Sequence, residues 1–527
     1  MVGHVDPRTL KKWLSDGREI ALIDVREHGQ YGEGHPFFAV SLPYSRLEIA
    51  LPALVPNPAT RMVLCDSADD VAVRAAKRAE ALGYGNVSLL SGGVQAWRNA
   101  GYTLYAGVNV PSKAFGELVE HARHTPRVTA AELRAMQDAG EDLAILDGRT
   151  FAEFQKMSIP GGISCPNGEL ALRIGALVPD AKTRIVVNCA GRTRSIIGAQ
   201  TLIDFGVPHS VYALENGTQG WFLAGLQLDH GASHQYGAAR ETGDLGKLRE
   251  RARSLAAMRG VRFVSAAEVE GWLADASRTT YLFDVRSPEE HAARATPGFV
   301  HAPGGQLVQA TDQWIGTRGA RVVLADDEEV RAPMTAQWLR QLGHEAYVLE
   351  GGIAAAHGLA GVRDAAPLHL PCPGPIAPEE VAARLREGRV RLIELCSGMS
   401  YRTAHVEGAV WSIRPRIAAA VLEPTVPVVL IVDDELDVAA LAAMDLAEAG
   451  VHDVRVAAGG REALRAAGLP AVSTPDTPSD ADCIDFLFFT HGRHEGNAEA
   501  ARQYLAWETA LVNQLDEQER GSFSVAG

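Results

Sequence analysis

No stretch of this 527-residue chain reaches the roughly 18–20 apolar residues that a membrane-spanning helix needs. The opening "MVGHVDPRTLKKWLSDGREI" lacks the apolar core of a secretory signal. We therefore expect a cytoplasmic protein with no membrane partner. Basic charge is in deficit: 50 Lys and Arg stand against 65 Asp and Glu, a formal net charge of -15. That argues against a general nucleic-acid binder, which needs a basic surface, but leaves room for a local basic pocket. Cysteine is sparse. Cys65, Cys165, Cys189, Cys372, Cys396 and Cys483 contain no CxxC pair, which argues against a metal site and a secreted disulfide framework. No GxGxxG follows a first strand, so a dinucleotide enzyme is disfavoured.

What is present is repetition. Four short strands look alike: "ALIDVRE" at 21–27, "AILDGRT" at 144–150, "YLFDVRS" at 281–287 and "RLIELCS" at 391–397. A second strand recurs after each, as "RMVLCD", "RIVVNC", "RVVLAD" and "PVVLIVD". A helix follows, then a third strand that runs into a glycine turn: "VSLLSGG", "VYALENG", "AYVLEGG" and "VRVAAGG". Strands alternating with helices imply a parallel sheet with helices on both faces. The repeats stand about 110 to 140 residues apart, a domain-sized interval. The spacing predicts four α/β domains in tandem, over 5–107, 126–230, 262–363 and 375–470. A tail over 471–527 follows. Its "GNAEAARQYLAWETALVNQLDEQE" predicts a helix with Ala501, Tyr504, Leu505, Leu511, Val512 and Leu515 on one face. Such a helix must dock, and we expect it to pack back on a domain, with a homodimer contact as the alternative.

One segment is chemically unusual. In "RIVVNCAGRTRSIIG", at 184–198, a strand ends on Cys189, and Gly191, Arg192, Arg194 and Ser195 follow before a helix begins. Ligands of parallel α/β domains sit at the carboxyl ends of strands. There the helix dipole, the loop N–H groups and two guanidinium charges favour a thiolate, so the expected thiol pKa lies well below the free value of about 8.5. Ser195 is placed to cap the helix, and Gly191 to let the backbone curl tightly.

"CAGRTRS", with "DGRTFAEF" and "SIPGG" upstream, resembles the rhodanese (thiosulfate sulfurtransferase) family, whose loop reads Cys, two residues, Gly, one residue, Arg, then Ser or Thr. Cys189, Arg194 and Ser195 match; Gly191 comes one place early and Arg192 stands where glycine is usual. The tandem plan resembles four rhodanese modules, and the tail lies outside the resemblance. The resemblance implies that Cys189 attacks the outer sulfur of thiosulfate or a similar sulfane-sulfur donor. A persulfide forms and passes sulfur to a thiol, cyanide or protein acceptor, and no cofactor takes part. It implies substrate binding by the loop Ala190, Gly191, Arg192, Thr193, Arg194 and Ser195, with both arginines neutralising the sulfonate. Asp147 and Arg149 would support the loop, and Glu153 would pair with an arginine.

The other three loops are acidic: "CDSADDVA" with Cys65, "ADDEEVRA" with Ala325 and "VDDELDVA" with Val432 in the cysteine place. Their carboxylates are expected to satisfy the loop amides. The negative charge should raise the Cys65 pKa and repel thiosulfate, with a sulfur-carrying Cys65 as the alternative. The third and fourth domains are left as structural or docking modules. Cys165 reads as a buried residue, with a resolving thiol as the alternative. "THGRHEG", with His491, Arg493 and His494, reads as a solvated loop, with a pocket or metal role as the alternative. Two rival functions remain: a non-enzymatic interaction protein built on degenerate modules, and a Cys-dependent phosphatase. The latter needs Arg six places after Cys, where this chain has Ser195.

Overall fold

Each repeated apolar run is a central strand. Ala21–Asp24, Leu143–Asp147, Thr280–Asp284 and Arg391–Glu394 each lie between two parallel neighbours. A strand buried on both faces needs apolar residues at successive positions, which explains why these runs do not alternate. The computed structural model describes residues 2–525 apart from 238–244, 362–367, 369, 422, 424 and 434. Part of the second linker, the expected end of the third domain at 363, and Asp434 of the fourth loop therefore lie outside the described residues.

In the second repeat the sheet order is Arg127–Val128, Val211–Leu214, Arg184–Asn188, Leu143–Asp147, Ile163–Ser164, all parallel. The other three five-stranded sheets repeat this order. An antiparallel pair, His405–Val406 with Ala471–Val472, accompanies the fourth.

Two recurring devices build each repeat. The first is the Asp-x-Arg pair ending the first strand. Asp24 with Arg26, Asp147 with Arg149 and Asp284 with Arg286 form buried bidentate pairs, and each arginine also donates to a carbonyl eight residues on. In the fourth repeat Cys396 stands in the arginine place, and Arg461 from a later helix pairs with Glu394 instead. The second device is the turn glycine after the third strand. Gly93, Gly217, Gly352 and Gly460 all have positive φ, and a Cβ on Gly217 would lie 2.2 Å from the Cys189 carbonyl oxygen. Only glycine satisfies both the conformation and the approach.

The segments between repeats are structural. Helix Val110–Arg123, which follows the first repeat, buries Phe115 and Val119 and packs on both Thr193–Phe205 and the tail helix Ala498–Gln514. Helix Leu245–Met258 packs on Arg331–Gln341. The tail helix buries Ala501, Tyr504, Leu505, Leu511 and Val512, the expected face, and Glu508 with them. Leu511 and Leu515 enter the core of the first repeat, and Lys11 pairs with Glu519 beyond the helix. Its apolar face is thus covered within the chain. Among the described residues no helix is long and apolar enough to cross a membrane.

Candidate active site

Cys189 follows the last residue of strand Arg184–Asn188, at the carboxyl end of the second sheet, and is 2% exposed. Its position is fixed from three sides. Below it, Asn188 donates from Nδ2 to Asp147 Oδ2 at 2.7 Å, so the Asp147–Arg149 pair holds the residue before the cysteine. Beside it, the Thr218 and Gln219 N–H groups donate to the Cys189 and Ala190 carbonyls at 2.9 and 3.1 Å. In front, the Cys189 thiol donates to Ser195 Oγ at 3.5 Å, and the Ser195 N–H points at the sulfur.

Ser195 does not cap the helix Thr193–Phe205, which begins without a side-chain cap. Its hydroxyl donates to the Arg192 carbonyl at 2.8 Å, closing the loop on itself. Gly191 has no left-handed φ, so it is not needed for a tight curl. It is needed for space: a Cβ there would lie 3.0 Å from Glu508 Oε2 and 3.2 Å from Tyr504 Cε1. The tail helix sits directly on the loop, and Thr193 Oγ1 donates to Glu508 Oε1 at 2.7 Å.

Both loop arginines are occupied. Arg192 donates to both carboxylate oxygens of Glu117 at 2.6 and 2.9 Å and also pairs with Glu120. Burial pushes the Glu117 carboxyl up to about 7 even with Arg192 acting against it. Arg194 makes a bidentate pair with Glu153 at 2.8 and 2.7 Å. Burial opposes the Glu153 charge, and Arg194 outweighs it, holding the carboxyl down at about 2. Glu153 thus takes the arginine partner expected of it, but neither arginine is free for a sulfonate in this closed arrangement.

The thiol also departs from expectation. Burial pushes the Cys189 pKa above its ordinary value; Arg194 and Ser195 pull it down, and Glu508 adds to the rise. The sequence shows the dipole, the amides and the arginines. It does not show that the tail helix, far along the chain, sets a carboxylate on the loop. Glu508, Glu117, Glu120, Asn188 and Gln219 carry no motif and were not foreseen; a glutamate on the apolar face of the tail helix is the one legible hint.

The remaining cysteines differ in kind. Cys65 is fully buried, and burial with Asp24 and Asp66 raises its pKa well above normal. Cys165 is buried in the core of the second repeat, its thiol pushed up by burial. Cys372 is exposed; burial and Glu394 push Cys396 up to about 12; Cys483 lies in the tail and is buried. Two of the three degenerate loops behave as their acidity implies. Asp66 accepts from the Ala68 and Ala72 N–H groups at 2.8 and 2.9 Å. Asp326 accepts from Val330, Arg331 and Ala332 at 3.1–3.2 Å. A carboxylate fills the cradle that the second repeat leaves to a sulfur. In the fourth loop Asp433 accepts, among the described residues, from the Arg461 N–H at 3.4 Å and from no loop amide.

A strand-end cysteine inside an amide-lined loop, on a parallel five-stranded sheet pinned by a buried Asp-x-Arg pair, defines a rhodanese-type domain. The Rhodanese-like domain family model matches residues 6–100, 129–224 and 265–358, and the chain belongs to the rhodanese family. The fourth sheet falls outside these matches but has the same strand order. The structure is similar over 100% of both chains to the crystal structure of a thiosulfate sulfurtransferase from Pseudomonas aeruginosa, with a TM-score of 0.90 and 41% identity. That similarity includes the tail. A part of the chain is also 36% identical over 110 residues to the HTH-type transcriptional regulator Rv0324 of Mycobacterium tuberculosis. The match covers 21% of this chain and 47% of that protein, so the chain spans about half of that relative.

Proposed function

We propose that this protein is a sulfurtransferase that moves sulfane sulfur through a persulfide on Cys189. The Cys189 thiolate attacks the outer sulfur of thiosulfate or a similar donor. The new S–S bond forms as the donor's own S–S bond breaks, and sulfite leaves with the electron pair. An acceptor thiol, cyanide or protein thiolate then attacks the outer sulfur of the persulfide, and Cys189 returns as thiolate. This double displacement predicts ping-pong kinetics. The setting is the cytoplasm, where thiols stay reduced.

The observation that carries this reading is the contrast between loops. In the first and third repeats an aspartate carboxylate occupies the loop amides; in the second the Ser195 N–H and hydroxyl face a sulfur. Asp147 and Arg149 act as supports, since the same pair recurs in repeats whose loops hold no such cysteine site. The 41% identity to a thiosulfate sulfurtransferase favours thiosulfate as donor. The domains proposed are those at 5–107, 126–230, 262–363 and 375–470, the second being catalytic.

The test is intact-protein mass spectrometry after thiosulfate treatment, with Cys189→Ser alongside. Wild type is expected to gain one sulfur, about 32 Da, mapped to Cys189, and the variant none. Sulfur uptake by the variant would move the site to another cysteine.

A further inference from the structure

Around the Cys189 loop nearly every cation is already paired. Arg149 is held by Asp147, Arg194 by Glu153, and Arg192 by Glu117 and Glu120. Lys156 pairs with Glu495, and Lys113 is buried beside Glu508, with its ammonium donating to the Val108 carbonyl. Lys113, which has no ion pair among the described residues and lies over the Tyr504 and Trp507 rings, is one exception; Arg493, brought in by the tail, is the other. Among the described residues it makes no ion pair. Its guanidinium lies over the Tyr504 ring, 4.4 Å from the centroid, and Nη1 donates to Thr490 Oγ1 at 3.2 Å. Its Nε is buried without a hydrogen-bond partner.

Placement joins this arginine to the site. Tyr504, on which it stacks, is the residue that closes on Gly191 of the loop. Arg493 also lines a cavity of about 530 Å³ with His494, His230, Gln219, Phe222 and Glu495, whose carboxylate is paired with Lys156. Gln219 is the residue whose N–H and Nε2 both hold the Ala190 carbonyl, so the cavity abuts the back of the Cys189 loop. His494 adds no competing charge: burial, then Arg493, Arg149 and Lys156, hold it down at about 4, so it is neutral at pH 7. A half-buried guanidinium with no carboxylate partner, lining a cavity, favours an anion within its reach.

We infer that Arg493 is the anion-recognition residue of the Cys189 site, supplied from the C-terminal tail, and that the cavity it lines binds the sulfonate of a dianionic sulfur donor. The site is therefore composite. The second repeat contributes the sulfur and the amides, and the tail contributes the charge that Arg192 and Arg194 spend on carboxylates. This rests on the sulfurtransferase reading for the identity of the donor, but not for the existence of the anion site.

The test uses the full chain with sulfate, an unreactive tetrahedral dianion, as the probe. Its readout is the rate at which Cys189 is alkylated by iodoacetamide. Sulfate is expected to slow alkylation of wild type saturably. Arg493→Gln should weaken that protection about tenfold to a hundredfold, and Arg493→Lys should restore part of it. With thiosulfate as substrate, Arg493→Gln should raise KM by a similar factor and leave kcat within about twofold. A merely structural arginine would not produce that split or the lysine rescue. Absence of sulfate protection in wild type, or equal protection in both variants, overturns the anion site. If sulfate protects in an Arg493-dependent way while thiosulfate leaves no sulfur on Cys189, the anion site stands and the sulfurtransferase reading falls. Should Arg493→Gln not fold, Arg493→Lys alone decides: protection as strong as wild type at every sulfate concentration overturns recognition by the planar guanidinium.

Discussion

Cys189 combines a loop built to favour a thiolate with a burial that disfavours one. The Ser195 N–H and the Arg194 charge act in one direction; desolvation and Glu508 act in the other and prevail. A thiol with a raised pKa is protonated at neutral pH, and its thiolate fraction climbs about tenfold per pH unit until the pKa is reached. We therefore expect the alkylation rate of resting Cys189 to keep rising through pH 8 and 9 instead of levelling near 7. Glu508→Gln removes the carboxylate's contribution to the rise, so the profile should move to lower pH. A pH-rate series on both proteins, with the modified peptide identified, checks the direction. A flat wild-type profile above pH 7 would mean that the loop outweighs burial after all.

At the scale of the element, the tail helix Ala498–Gln514 acts as a cover, and Gly191 is the point where it rests. The absence of a side chain there admits Glu508 and Tyr504 to the loop. Gly191→Ala introduces a Cβ at 3.0–3.2 Å from both, closer than ordinary contact, and the backbone there is not left-handed. The expected result is a lifted tail: Cys189 should be alkylated at least about tenfold faster, and hydrogen exchange over 498–514 should accelerate, while the second sheet keeps its protection. Unchanged exchange in the tail would show that the helix accommodates the methyl by side-chain movement. The periodicity of this helix was legible, including five of its buried positions. The docking surface was not, because an amphipathic pattern specifies that a face is covered and not by what.

Across the whole molecule, the repeats are joined by buried ion networks and not by linkers alone. Arg331 of the third repeat is 0% exposed and pairs with Glu169 of the second at 3.0 Å, as well as with Glu290, Glu328 and Asp326. Trp338 Nε1 donates to Thr201 across the same interface at 2.9 Å. Arg414 joins the fourth repeat to the first through Glu48, and it also meets Asp445. Removing one member of such a network strands the others. Arg331→Met is expected to cost about 3–5 kcal/mol, read as a lower denaturant midpoint for the second and third repeats. A midpoint equal to wild type would show that the carboxylates find water once the arginine is gone.

The sequence by itself determined the four-fold α/β plan, the strand ends and the one loop that pairs a cysteine with arginines and a serine. These are local properties: apolar runs, turn glycines and side chains close along the chain. It also determined that the first and third loops are self-satisfied, since an aspartate beside the amides it accepts from is a short-range arrangement. Only the tertiary structure decided the electrostatics of the site. Which carboxylates claim Arg192, what covers the Cys189 loop, and which guanidinium is left unpaired all depend on Glu117, Glu508 and Arg493, which come from a linker and a tail. Charge acts through space over several ångströms, and the chain order carries no record of which distant segment folding will bring within that reach.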